Sequence, residues 1–167
     1  RLEVAQLLAS RNIDAVDHAD LVQLDRPAQR EQSLAADLGI ATRQGAKPWL
    51  GTVALDSAAF DVPRIMEARH PRFYDRVFKN DPDYWRQASP VHRLASAGAP
   101  MLLVCSSHRH DSCPQARSFA AKATAKGGRV SVLPVALSHG EINQDLGLAG
   151  EYTEAVESFL RSIGVNR

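Results

Sequence analysis

An acid and a histidine stand just past two successive apolar runs of this chain. Asp111 lies in the polar loop Ser106-Ser107-His108-Arg109-His110-Asp111-Ser112-Cys113-Pro114, after the run Met101-Leu102-Leu103-Val104-Cys105. His139 follows the second run, Val130 to Val135. Between them a helical pattern extends from Gln115 to about Lys126 and stops at Gly127-Gly128. A strand, a helix and a second strand would bring both residues to one edge of a sheet. That is the placement in which a carboxylate orients an imidazole for proton transfer. Asp56 ends a third short apolar run, Trp49 to Leu55, and falls on the same edge.

The elements that would carry these residues can be read from periodicity. Residues 1–10 have a helix-like apolar spacing (Leu2, Val4, Ala5, Leu7, Leu8), and Ile13, Val16, Leu21, Val22 and Leu24 suggest a short strand. Ser33–Ala41 is alanine-rich and suits a helix with Gly45 as its stop. Asp61-Val62-Pro63 reads as a helix start, with Asp as cap and Pro in the first turn. Residues 70–94 are rich in proline and aromatics and predict short helices and loops over the rim of a sheet. Tyr152, Val156, Phe159, Leu160 and Ile163 share one helical face. Helix and strand alternate from Ser33 onward, which predicts an α/β fold: a mostly parallel sheet with flanking helices. Chemistry in such sheets collects at the carboxyl ends of the strands.

Composition narrows the partners. At 167 residues, 44% hydrophobic and 23% charged, the chain suits one globular domain. Its net charge of +1 comes without a basic cluster, so neither nucleic acid nor an anionic membrane is expected as a partner. No apolar run reaches the length of a membrane span and no signal-peptide pattern opens the chain, so a cytoplasmic protein is expected. The two cysteines, Cys105 and Cys113, are expected there as reduced thiols. His108, His110, Asp111 and Cys113, even joined by His139, match no familiar zinc spacing, and no metal is expected. The chain opens on Arg1 rather than Met, from which a trimmed N-terminal portion is expected.

Ser89-Pro90-Val91-His92-Arg93-Leu94, followed by Ala99-Pro100-Met101-Leu102-Leu103-Val104, resembles the approach to the penultimate core strand of α/β-hydrolase esterases. In that family an Asp follows this strand, a Pro-Gln pair opens the next helix and a His follows the last strand; Asp111, Pro114-Gln115 and His139 hold those places here. The closing residues Ile142, Leu146-Gly147, Tyr152-Thr153 and Phe159-Leu160 extend the likeness. It is similar more narrowly to small carboxylesterases and arylformamidase-like members, and it covers about Ser33 to Ile163. The resemblance implies an incomplete α/β-hydrolase fold, with residues 1–32 a poorly matching segment and residues 33–167 the C-terminal portion of the domain. It also implies hydrolysis of a small-molecule carboxylic ester, or of an aryl formamide, without cofactor. His139 would be general base and then acid, and Asp111 its orienting partner.

The family's serine sits in a G-x-S-x-G elbow, and no such motif occurs in these 167 residues. Its place would be near Asp25–Ala28, where there is neither serine nor glycine; Ser10, Ser33 and Ser57 have no elbow around them. A shifted reading frame at the gene end, or a truncated homologue, accounts for this, and either predicts little or no ester hydrolysis. A non-catalytic binding role is the other reading, with the aromatic stretch His70–Trp85 as a contact surface. Core packing of Phe73, Tyr74, Phe78 and Trp85 is the simpler fate of those rings. His70 and His92 are expected to be structural or exposed. An incomplete sheet also predicts marginal stability and an open edge favouring a homo-oligomer.

Overall fold

The computed structural model describes residues 6–8, 49–95 and 98–165. Among the described residues four strands form one sheet in the order β1 (Gln6–Leu8), β2 (Thr52–Leu55), β3 (Met101–Ser106) and β4 (Val130–Val135). β1 runs antiparallel to β2, while β2, β3 and β4 are mutually parallel, with Thr52 opposite Met101 and Met101 opposite Val130. The expected α/β class, a mostly parallel sheet flanked by helices, is the one found. Gln6–Leu8 departs from the helical reading of residues 1–10. Over so short a stretch apolar spacing suits either state, and pairing along the edge of β2 makes it a strand. The strand expected around Ile13–Leu24 and the helix at Ser33–Ala41 lie outside the described residues.

Between β2 and β3 the described residues form four short helices, α1 (Val62–Met66), α2 (Phe73–Phe78), α3 (Pro82–Ala88) and α4 (Pro90–Arg93). Asp61 caps α1 by accepting the Arg64 N–H, and Asp81 caps α3 by accepting from the Asp83 and Tyr84 N–H groups. Val62, Phe78, Trp85 and Ala88 bury together as a satellite core. The Trp85 indole N–H is shared between the Phe78 and Lys79 carbonyls at 3.0 and 3.1 Å. Ser89, fully buried, donates to the Trp85 carbonyl at 2.6 Å and accepts the Val62 N–H at 2.8 Å. It ties α1 to α3, and Gln115 Oε1 takes the Asp61 N–H at 3.1 Å, tying the insertion to the main body.

The central strand β3 is buried at every position, and its side chains alternate between two cores. Met101, Leu103 and Cys105 face α5 (Ser112–Ala125), packing with Ala116, Phe119, Ala120 and Ala123. Leu102 and Val104 face the opposite side, with Ile142 of α6 (His139–Gln144) and Val156 of α7 (Glu151–Ser162). A Cβ on Gly51 would meet Ile163 Cδ1 at 2.6 Å and the Pro100 carbonyl at 2.9 Å, so glycine permits the close passage of β2 beneath the end of α7. β4 is an edge among the described strands and carries Pro134, which offers no N–H for further pairing. No helix among the described residues is long and apolar enough to cross a membrane.

Cys105 and Cys113 are not the reduced thiols expected from the sequence: they form a disulfide. Their closeness along the chain made a bridge look unrewarding. Because α5 turns back over the end of β3, however, the two Cα atoms lie 5.1 Å apart, within disulfide reach. The bridge closes the loop that carries Ser106, Arg109, Asp111 and Ser112.

Candidate functional site

The parallel strands end together, and the loops beyond them converge over the tip of β3. Asp56, immediately after β2, adopts a left-handed backbone conformation (φ 53°), which Asp tolerates better than most residues. Its N–H still bonds the Val104 carbonyl at 2.9 Å, so the turn begins at the last rung of the ladder. The side chain is wholly buried.

Four donors surround this carboxylate. Oδ1 accepts the Ser106 backbone N–H at 2.7 Å and the Ser112 hydroxyl, while Oδ2 accepts Arg109 Nη1 at 2.8 Å and His139 Nδ1 at 2.9 Å. An ionised carboxylate has about four lone-pair sites, and all are used. Burial alone would push Asp56 up, but the bonds from Ser112, the Ser106 N–H and Arg109 outweigh it and hold the group below its ordinary value. An ionised acceptor on Oδ2 requires His139 Nδ1 to carry a proton. In the neutral ring Nε2 is then the acceptor, and the side chain is 61% exposed.

The histidine is placed by local chemistry. Ser138 caps α6 by accepting the Glu141 N–H at 3.3 Å, and Glu141 Oε2 accepts the Ser138 N–H at 2.7 Å. This reciprocal box, readable as Ser138-x-x-Glu141, fixes the first turn from which His139 projects. Hydrogen bonding of the Glu141 carboxyl to the Ser138 hydroxyl, and then to the Ser138 N–H, holds it below its usual range. Ile142, fully buried, anchors the helix from beneath, and the Tyr152 hydroxyl donates to its carbonyl at 2.9 Å. Burial, with Asp145 nearby, pushes that phenol up to about 12, so it remains a donor.

Asp111, expected to orient His139, does not bond it. Its Oδ2 accepts Arg109 Nη2 at 3.2 Å, its side chain is 38% exposed, and it makes no side-chain cap bond to α5. The residue that holds His139 is Asp56. The reason is topological: Asp111 follows a loop that swings out past β3, whereas Asp56 turns inward at the end of β2 and reaches the centre. The sequence signal for Asp56 is an acid ending a buried strand, while the family spacing points to Asp111 instead. Arg109 bridges the two carboxylates, and their bonds outweigh burial to raise its proton affinity.

His139, Asp56, Ser57, Arg109 and Asp111 border a cavity of about 750 Å³ whose far wall comes from α1, the segment after it and the start of α2. Ser57 accepts the Ala59 N–H at 3.4 Å, a turn role. Among the described residues no serine hydroxyl bonds His139; Ser10 and Ser33 lie outside them. No group of three or more His, Cys, Asp or Glu among the described residues could hold a metal ion, and Cys113 is spent in the disulfide.

No protein-family model matches the chain, and no curated protein matches its sequence. Among solved structures it is similar to esterase 2 of Thermogutta terrifontis. The sarin-phosphonylated form aligns at 19% identity and TM-score 0.48, over 58% of this chain and 37% of that one. The native form aligns at 20% identity and TM-score 0.43, over 54% and 34%. The tabun-modified form aligns at 21% identity and TM-score 0.42, over 56% and 37%. The chain therefore spans little more than a third of the length of those esterase chains.

Proposed function

We propose that this chain carries the acid–base half of a serine-type carboxylic ester hydrolase. The observation that carries the reading is the bond between buried, ionised Asp56 and His139 Nδ1 at the carboxyl end of a parallel sheet, beside a cavity of substrate size. In that role Nε2 takes the proton of an attacking hydroxyl and returns it to the leaving alcohol, while Asp56 stabilises the imidazolium between the two steps. Asp56 replaces Asp111 as the orienting acid in this assignment, and the nucleophile is unassigned. The substrate is a small ester, with an aryl formamide as the neighbouring possibility, because the same tetrahedral chemistry serves both. A cytoplasmic location sits poorly with the Cys105–Cys113 bridge, which an oxidising compartment favours.

The test uses the chain itself with 4-nitrophenyl acetate at neutral pH. An activated ester needs no serine: His139 can activate water or attack the acyl carbon directly. The expected result is slow turnover above buffer, returned to the buffer rate by His139→Gln, with no labelling by a fluorophosphonate probe. A rate that His139→Gln leaves unchanged removes His139 from the chemistry. A non-catalytic binding role is the second reading, favoured by the lack of a serine on His139 among the described residues, and failure to turn over any ester would select it.

A further inference from the structure

The charges around the cavity divide into two groups. At the sheet edge they are matched, because Arg109 binds Asp56 at 2.8 Å and Asp111 at 3.2 Å. On the opposite wall they are not. Arg64 and Arg69 line that wall, and among the described residues neither guanidinium has a carboxylate partner. His70 stands beside them. Its Nδ1 lies 2.7 Å from the Ala68 carbonyl and its Nε2 lies 2.9 Å from Asp75 Oδ1, so both nitrogens face acceptors, an arrangement that favours the protonated ring. The bond to Asp75 raises its proton affinity accordingly and matches its charge. Glu67 and Asp61 border a separate depression, which Arg64 also reaches, whereas Arg69 lines the cavity and not that depression.

Apolar side chains share the cavity lining with the arginines and His139. Ile65, Pro71, Phe73 and Tyr74 contribute to it, with the Phe73 and Tyr74 rings 4.1 Å apart. Phe73 is 37% exposed, unlike the rings of the satellite core. An aromatic body suits such a wall, and a planar guanidinium with no partner is matched by a carboxylate, which it binds through two parallel N–H donors.

From these features we infer that the cavity takes an aromatic ester bearing a free carboxylate, with the scissile carbonyl toward His139 and the carboxylate on Arg69, assisted by Arg64. The ester half of this statement rests on the hydrolase reading; the carboxylate half does not.

The two are separated by measuring binding rather than turnover. Monomethyl terephthalate supplies a ring, an ester and a carboxylate, and methyl 4-carbamoylbenzoate is its neutral isostere. Calorimetric titration of the chain is expected to give about tenfold tighter binding of the acid than of the amide, the scale of one charge-assisted contact. The preference weakens as ionic strength rises. Arg69→Gln removes most of the preference and Arg64→Gln part of it. Arg117→Gln, an equal loss of charge at an exposed position of α5 outside the cavity lining, leaves it in place. Both cavity arginines are exposed, so these variants are expected to fold, and matching thermal transitions verify that. His139→Gln abolishes any turnover while preserving the carboxylate preference. Equal affinity for the two probes, no binding of either at millimolar concentration, or a preference that survives loss of both arginines would overturn the inference. Failure to hydrolyse monomethyl terephthalate with the preference intact would instead count against the hydrolase reading alone.

Discussion

Two carboxylates stand beyond neighbouring strand ends and share one arginine, yet their environments are opposite. Asp56 is buried and every lone pair is taken, by a backbone N–H, a hydroxyl, a guanidinium and an imidazole. Asp111 is partly exposed and, among the described residues, takes a side-chain hydrogen bond from Arg109 alone. A saturated buried acid can hold a histidine in one tautomer, because any other protonation state leaves an unpaired group in a dry site. A solvated acid on a loop tip has water as an alternative partner and imposes much less. The position of an acid along the chain is therefore a weaker guide to its role than the set of donors the fold collects around it.

Substitution should expose the difference directly. Asp56→Asn presents an amide N–H₂ to a ring of donors whichever way it is turned, and is expected to cost about 3–5 kcal/mol, the scale of breaking a buried ion pair. Asp111→Asn is expected to stay within about 0.5 kcal/mol. Urea unfolding of the two variants measures both, and equal losses would erase the distinction. The next largest effect is expected from the disulfide, which closes the loop that carries Asp111 and three of the donors to Asp56. Cys105→Ser with Cys113→Ser, or reduction, should cost about 2.5 kcal/mol by loop-closure entropy. It should also loosen Ser112 and Arg109, so that His139-dependent ester turnover falls further than stability does. Turnover that persists at full rate after reduction would show that the buried donors are positioned without the bridge.

The smallest effect is a pH dependence. The folded state holds Asp56 below its ordinary value of 3.8, so it binds fewer protons than the unfolded chain in that range. Stability from this group is present above the unfolded value and is lost as pH falls through the folded one. Denaturant unfolding between mildly acidic pH and pH about 2, where carboxylates titrate, should show a slope in wild type that Asp56→Asn reduces, leaving the part due to Glu141, and that Asp111→Asn keeps whole. An unchanged slope in Asp56→Asn would assign acid sensitivity to other carboxylates.

What was legible in the sequence is what depends on near neighbours. The strands at Met101 and Val130, the helix between them, the Asp61 cap and the terminal amphipathic helix all follow from periodicity and turn chemistry. So does the convergence of Asp56, Asp111 and His139 on one sheet edge, since parallel strands with helical crossovers all end the same way. The capping box at Ser138 and Glu141 was equally local, and it is what sets the direction of His139. Three things were decided only by tertiary structure. Gln6–Leu8 became a strand because an edge of β2 was there to pair with. Cys105 and Cys113 became a bridge because α5 folds back across β3. Asp56 displaced Asp111 because the donors that neutralise a buried charge come from β3, its loop, α5 and α6 together. Residue types specify which groups can titrate, but packing decides which of them loses its water, and a carboxylate that loses its water must be met by donors that sequence order does not bring side by side.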